Sequence, residues 1–294
     1  MHPTVGAAAG RGVAPPLPPF AGPPRSLRAA RRLGGMTQNS TNPSTGNPSH
    51  DLTGRIAVVT GASSGIGAAT ARALAAGGAR VAVLARRVDR IEALAKEIDG
   101  IAVPADVTDP ASLARAAGTV RAELGRPDLV VANAGVMLGA PFAAAQPVEW
   151  SSMVDTNISG LLHTGKAFVD DLLAAAADGR PADLVHVGSI ASHEVFPGYA
   201  VYGATKAGVA ALTRGLRLEL GPRGVRVRAI EPGVTATELG DTMLDSEGRE
   251  TLAQIRSEVG PIPASDVAEA IAWSAAAPAR VNVAQLIVVP TAQG

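Results

Sequence analysis

An α/β fold on a doubly wound parallel sheet of about seven strands is what this sequence predicts, from three observations. From Asp51 onward, short β-rich runs alternate with helical segments, the order that a parallel sheet covered by helices on both faces requires. Several of those runs are apolar throughout, Asp128-Leu-Val-Val-Ala132 among them, as strands buried on both faces are. The first run leads directly into Thr60-Gly61-Ala62-Ser63-Ser64-Gly65-Ile66-Gly67 and then into an alanine-rich segment. That is a strand, a tight glycine turn and a helix start.

In chain order the strands are expected at 55–60, 80–84, 101–105, 128–132, 183–188, 225–230 and 285–289. The helices are expected near 65–76, 88–98, 111–123, 148–177, 200–220, 241–258 and 265–277. In the glycine turn, Gly61, Gly65 and Gly67 let the backbone bend sharply and approach another group with no Cβ between. The helix that follows offers unpaired N–H groups and the positive end of its dipole, which suits a pyrophosphate. With Ser63, Ser64 and Ile66 in the same turn, dinucleotide binding is the chemistry this stretch points to.

The chain has 294 residues, 47% of them hydrophobic, which suits one large domain or two small ones. It has no cysteine, which excludes disulfides, thiolate nucleophiles and thiolate metal sites. The zero net charge hides an asymmetry: residues 1–50 hold Arg11, Arg25, Arg28, Arg31 and Arg32 and no acid. The rest is correspondingly acidic, which argues against a nucleic-acid surface there. Residues 1–50 are proline-rich and then Ser/Thr/Asn/Pro/Gly-rich, and we expect a disordered leader, with Met36 a candidate first residue. It lacks a secretory h-region, and no run is long and apolar enough to span a membrane, so a cytoplasmic location is expected.

The second strand bears on the cofactor. It ends Val83-Leu84-Ala85-Arg86-Arg87, where an NAD-preferring fold usually carries an acid. Ala85 repels no phosphate, and Arg86 and Arg87 can hold one, so NADP(H) is expected. After the third strand, Asp106 beside Val107 either accepts from an adenine amino group or caps the turn. After the fourth, Asn133-Ala134-Gly135 either borders the ligand crevice or braces the loop. Ser189 follows the fifth strand, and Tyr202 and Lys206 lie one turn apart on the next helix. A phenol titrates at about 10, and an adjacent ammonium together with a positively charged nicotinamide would lower that value. Such a tyrosine can exchange a proton with a substrate oxygen while hydride moves at carbon.

Together these residues resemble the short-chain dehydrogenase/reductase family over about residues 51–294. The resemblance rests on Thr60-x-x-x-Gly-x-Gly67 as a turn pattern, Asn133-Ala-Gly135, Asn157, Ser189, Tyr202-x-x-x-Lys206 and Pro232-Gly233. It implies a single Rossmann-like domain with Tyr202 as acid/base. Lys206 would lower its pKa and bind the nicotinamide ribose, Ser189 would orient the substrate oxygen, and Asn157 would hold a water. Pro232, Gly233, Thr235 and Thr237 would lie against the nicotinamide and its phosphate. Within the family, Ala-Arg86-Arg87 and Glu231-Pro232-Gly233 look most like NADP-dependent hydroxy-acid and clavulanic-acid-type dehydrogenases. Ala132 departs from the family's usual first asparagine at that turn. The resemblance also implies a homodimer or homotetramer built on helix 148–177 and the next.

The remaining signals are weaker. The five histidines have no metal-ligand spacing, and His186 reads as a packed strand residue. The substrate, a small ketone, aldehyde, secondary alcohol or hydroxy acid, would meet Met137, Leu138, His193, Phe196 and the segment 239–263, which is expected to form a lid. Arg249 and Arg256 are expected to face solvent. The alternative function is an NADP(H)-sensing regulator on the same fold without turnover.

Overall fold

The computed structural model describes residues 50–293, so apart from His50 the predicted leader lies outside the described residues. The sheet is built from β1 (Ile56–Thr60), β2 (Arg80–Ala85), β3 (Ile101–Pro104), β4 (Leu129–Ala132), β5 (Ala182–Val187), β6 (Val225–Pro232) and β9 (Gln285–Val288). A separate pair is formed by β7 (Thr235–Ala236) and β8 (Ile262–Pro263). The large sheet has the order β3-β2-β1-β4-β5-β6-β9, and every pairing is parallel. This is the Rossmann-like architecture expected. Strand order reverses between β1 and β4, the position at whose carboxyl end a parallel sheet of this kind places its ligand crevice.

Side-chain alternation divides the core into two layers. Val59, Val83, Val131 and Ile230 face Leu74 of α1 (Gly65–Ala76), Ile91 of α2 (Val88–Glu97) and Ile271 of α8 (Ala264–Ala276). Their neighbours Val58, Leu84, Val130 and Val227 face the other way. There they meet Leu113 of α3 (Pro110–Glu123) and Phe168 and Leu172 of α5 (Gly160–Ala177). Phe168 has no exposed surface, and cutting it to alanine would cost about 3–5 kcal/mol.

Two predicted helices are redrawn. The stretch 148–177 is not one regular helix: α4 (Pro147–Val154) passes through a π turn at Asp155–Ser159 before α5 begins. Gly160 N–H reaches back to the Asp155 carbonyl, five residues away, so one extra residue is accommodated without breaking the helical path. The helix expected at 241–258 starts later, as α7 (Ser246–Val259), because Asp245 caps it by accepting from Gly248 N–H at 2.7 Å. The long α6 (Ala200–Leu220) follows prediction.

At the amino ends of the strands lies a buried ionic cluster. Asp183, fully buried on β5, accepts from Arg55 Nη2 and from Arg226 Nε and Nη2, each at 2.7 Å, and from Arg228. Arg55 and Arg180 hold Asp128 at 2.7 and 3.0 Å. Arg226 and Arg228 also donate to the Ala275 and Ser274 carbonyls near the end of α8, where cations complement the helix dipole. Burial pushes the Arg228 guanidinium down to about 10, against the pull of Asp183, and burial likewise raises the Asp128 carboxyl. None of the described helices is long and apolar enough to cross a membrane.

Candidate active site

The crevice at the carboxyl ends of the strands opens into one cavity of about 520 Å³, a volume typical of a small-molecule site. Its near wall is the glycine turn. Gly61 (φ +66°) and Gly65 (φ +52°) occupy the left-handed region that glycine tolerates best. A Cβ on Gly61 would stand 2.7 Å from Ala134 Cα. Gly67 does not line the cavity. A Cβ there would stand 2.5 Å from both Asn133 Nδ2 and the Gly61 carbonyl, so this glycine lets α1 dock closely on the turn. The N-cap Ser64 makes no side-chain capping bond and the first turn of α1 holds no acid, so its backbone donors face the cavity without a side-chain acceptor.

The loop after β4 is tied to that turn. Thr60 Oγ1 accepts from the backbone N–H groups of Asn133 and Ala134 at 3.1 and 3.2 Å, and Asn133 Nδ2 donates to the Thr60 carbonyl at 2.9 Å. Asn133 therefore braces the loop and borders the cavity at once. Asn157, placed by the π turn, lies behind this wall rather than in it. Its Nδ2 donates to the Val136 carbonyl at 2.9 Å and to Thr205 Oγ1 at 3.1 Å, and its Oδ1 accepts from Val136 N–H at 2.9 Å. The water expected on Asn157 would have to be held elsewhere than through its amide N–H groups, both of which are already engaged.

Ser189, Tyr202 and Lys206 are all nearly buried and all line the cavity. Lys206 Nζ donates to the Val187 carbonyl at 2.9 Å and sits 5.8 Å from the Tyr202 ring centroid. The protein's own groups do not by themselves lower the phenol. Burial pushes Tyr202 up to about 12, offset in part by the Ser189 hydroxyl, and burial pushes Lys206 down to about 8. Desolvation disfavours both charged forms.

At the far end the two arginines divide their work. Arg87 donates from Nε to Ser63 Oγ at 3.0 Å and from Nη2 to Ser64 Oγ at 2.6 Å, whereas Arg86 is mostly exposed, with Nη1 4.0 Å from Asp106. Asp106 also accepts from Thr108 N–H and Oγ1, so it caps its turn while lining the cavity beside Val107. Pro232, Gly233, Thr235 and Thr237 line the middle.

The substrate end differs from expectation. Met137 and Phe196 line it, but Leu138 turns to a second, smaller hollow beside Phe142 and Trp150. His193 turns to the edge of the sheet, where its Nε2 lies 2.8 Å from Glu231 Oε2. Arg256 faces inward, donating to the Thr237 and Leu239 carbonyls at 3.0 and 2.8 Å, whereas Arg249 stays exposed as expected, bonded to the Met243 and Leu244 carbonyls. Tyr199, Glu238 and Gln293 line the cavity although the sequence reading did not single them out. Glu238 carried a readable signal, an acid directly after Thr237.

A family model described as short chain dehydrogenase matches residues 55–248. Among curated relatives, a glycine betaine reductase of Emericella nidulans is 39% identical over 253 residues, which cover 83% of this chain but only 19% of that protein's length. An uncharacterized oxidoreductase of Staphylococcus aureus is 35% identical over 242 residues, covering 81% of this chain and 98% of that protein. Among solved structures, an alcohol dehydrogenase of Thermococcus sibiricus complexed with 5-hydroxy-NADP is 30% identical with a TM-score of 0.72, covering 82% of this chain and 98% of that one. A 3-ketoacyl-(acyl-carrier-protein) reductase of Brucella melitensis complexed with NADH is 28% identical with a TM-score of 0.74, covering 83% of this chain and all of the other (100%).

Proposed function

The chain belongs to the short-chain dehydrogenase family, and from that premise we propose that it is an NADP(H)-dependent oxidoreductase acting on a small carbonyl or secondary alcohol. The observation that carries this reading is the continuity of a single cavity. It runs from the Arg87–Ser63–Ser64 cluster, past the uncapped start of α1, to Ser189, Tyr202 and Lys206. Those uncapped donors fit a pyrophosphate, and the apolar middle beside Ile190, Pro232 and Val234 fits a nicotinamide ring.

The cofactor, when bound, supplies or accepts the hydride. The chain's own residues handle the oxygen. Tyr202, whose phenol is protonated at neutral pH as any unperturbed phenol is, gives its proton to the carbonyl oxygen as carbon takes the hydride. Ser189 Oγ holds the same oxygen in place. Lys206 lies close enough to stabilise the phenolate that remains, and its own proton is labile because burial lowers it to about 8. Asn157 positions this group through Thr205, whose hydroxyl donates to the Tyr202 carbonyl at 2.7 Å. The loop from Leu239 and α7 cover the substrate end as a lid, contributing Leu252 and Ile255 to an apolar wall with Arg256 beside it.

The test is steady-state turnover of a panel of activated ketones, aldehydes and hydroxy acids with NADPH and with NADH. Cofactor binding without substrate is measured in parallel. Turnover with NADPH is expected; binding of both cofactors with no turnover on any substrate would favour a sensing role instead.

A further inference from the structure

Glu238 is an acid at the arginine end of the cavity that the proposed chemistry does not use. Its carboxylate receives Arg87 Nη1 at 2.8 Å and Arg90 Nη1 at 2.8 and 3.0 Å. Hydrogen bonds from these two arginines hold it down to about 2, so it is ionised at every working pH. The same Arg87 guanidinium donates to Ser63 and Ser64 with its other nitrogens. Two cations and two hydroxyls thus form an anion site, and one of the chain's own carboxylates fills it.

The segment that carries Glu238 crosses the glycine turn. A Cβ on Gly65 would stand 3.1 Å from Thr237 Cγ2, and Arg256 grips the carbonyls on either side of Glu238. Glu238 is therefore held against Arg87 from its own side of the cavity as well. A dianion brought to Arg87 would either displace this carboxylate or share the guanidinium with it at close range, and like charges at that distance repel.

We propose that Glu238 is a specificity-determining residue, an internal anion that competes with the 2′-phosphate of NADP(H) for Arg87. The inference rests on the cofactor reading above and adds to it. Preference for the phosphorylated cofactor is the difference between two anions at one site, and the arginines alone do not set it. NAD(H), which brings no phosphate to Arg87, leaves the Glu238 contacts in place.

The experiment is calorimetric titration of the full chain with NADP+ and NAD+, for wild type, Glu238→Gln, Arg87→Gln and the double variant. Glu238 is half exposed, so the amide is expected to fold, and a melting curve checks it. Glu238→Gln should tighten NADP+ about three- to tenfold and leave NAD+ within about twofold, the scale of an exposed ion pair. The gain should shrink with added salt and vanish in the Arg87→Gln background. An equal effect on both cofactors, no effect on either, or weakened NAD+ alone would overturn the inference while leaving the cofactor reading standing. If no variant binds either cofactor, the cofactor reading falls and takes the inference with it.

Discussion

At the amino ends of the strands, three arginines close on Asp183 and no solvent reaches it; at the carboxyl ends, Tyr202 and the first turn of α1 face an open cleft. Both ends bury ionisable groups, but with different numbers of partners. In the cluster each carboxylate is met by several guanidinium donors, which fasten β1, β5, β6 and α8 together even though burial raises Asp128 and lowers Arg228. In the cleft, burial is met by few partners, so the phenol and the amine are driven toward their neutral forms. The same desolvation yields rigidity where it is compensated and reactivity where it is not.

This contrast can be broken most severely at Asp183. Asp183→Asn removes the charge on which Arg55, Arg226 and Arg228 converge and leaves Arg228 buried without it, a loss of about 3–5 kcal/mol. Denaturant unfolding should show it; a loss within ~1 kcal/mol would mean that the α8 carbonyls suffice. Tyr202→Phe attacks the other end. Turnover should fall by about 10²–10⁴-fold with little change in unfolding free energy and with cofactor binding kept, and preserved turnover would end the acid/base assignment.

Smaller effects sharpen the comparison. Arg87→Ala should raise the KM for NADPH about tenfold, and Arg86→Ala about threefold, with NADH nearly unchanged in both. Equal effects would show that the contacts to Ser63 and Ser64 do not decide the pairing. The subtlest effect is on pH dependence. Lys206 titrates at about 8 in the fold and 10.5 when unfolded, so between those values the unfolded chain binds more protons and stability rises with pH. Above 10.0 Tyr202, held at about 12, acts in the opposite sense, so the clean window is pH 8 to 10. Lys206→Met should remove a rise of about 2 kcal/mol across it, read as unfolding free energy against pH.

What the sequence disclosed, and what it hid, follows the range of the interactions. The glycine turn, the strands and Tyr202-x-x-x-Lys206 are local patterns, and they stand where their spacing puts them. The π turn was hidden because an inserted residue leaves helical character unbroken on both sides. Arg256 reads as a surface charge on α7, and only the crossing of 237–239 above it turns it inward. The choice between Arg86 and Arg87 depended on Ser64 and Glu238, 23 and 151 residues away from Arg87. The ionic cluster was hidden for the same reason. Asp128 and Asp183 each sit at the edge of an apolar run, and nothing local says that arginines 55, 226 and 228 will meet them.

That cluster also sets an order of events during synthesis. Asp183 is made after Arg55 but well before Arg226 and Arg228, and Tyr202 and Lys206 are made in between. A nascent chain that has reached the end of α6 therefore carries both Tyr202 and Lys206 while the carboxylate at the opposite end of β5 has one arginine of its three. The central strands cannot be locked from the amino end inward, because β5 waits for β6 and β6 must reach the end of α8. Arg226, Arg228 and the end of α8 are the last parts of the cluster to be made, so its contacts are complete only once nearly the whole domain has been synthesised.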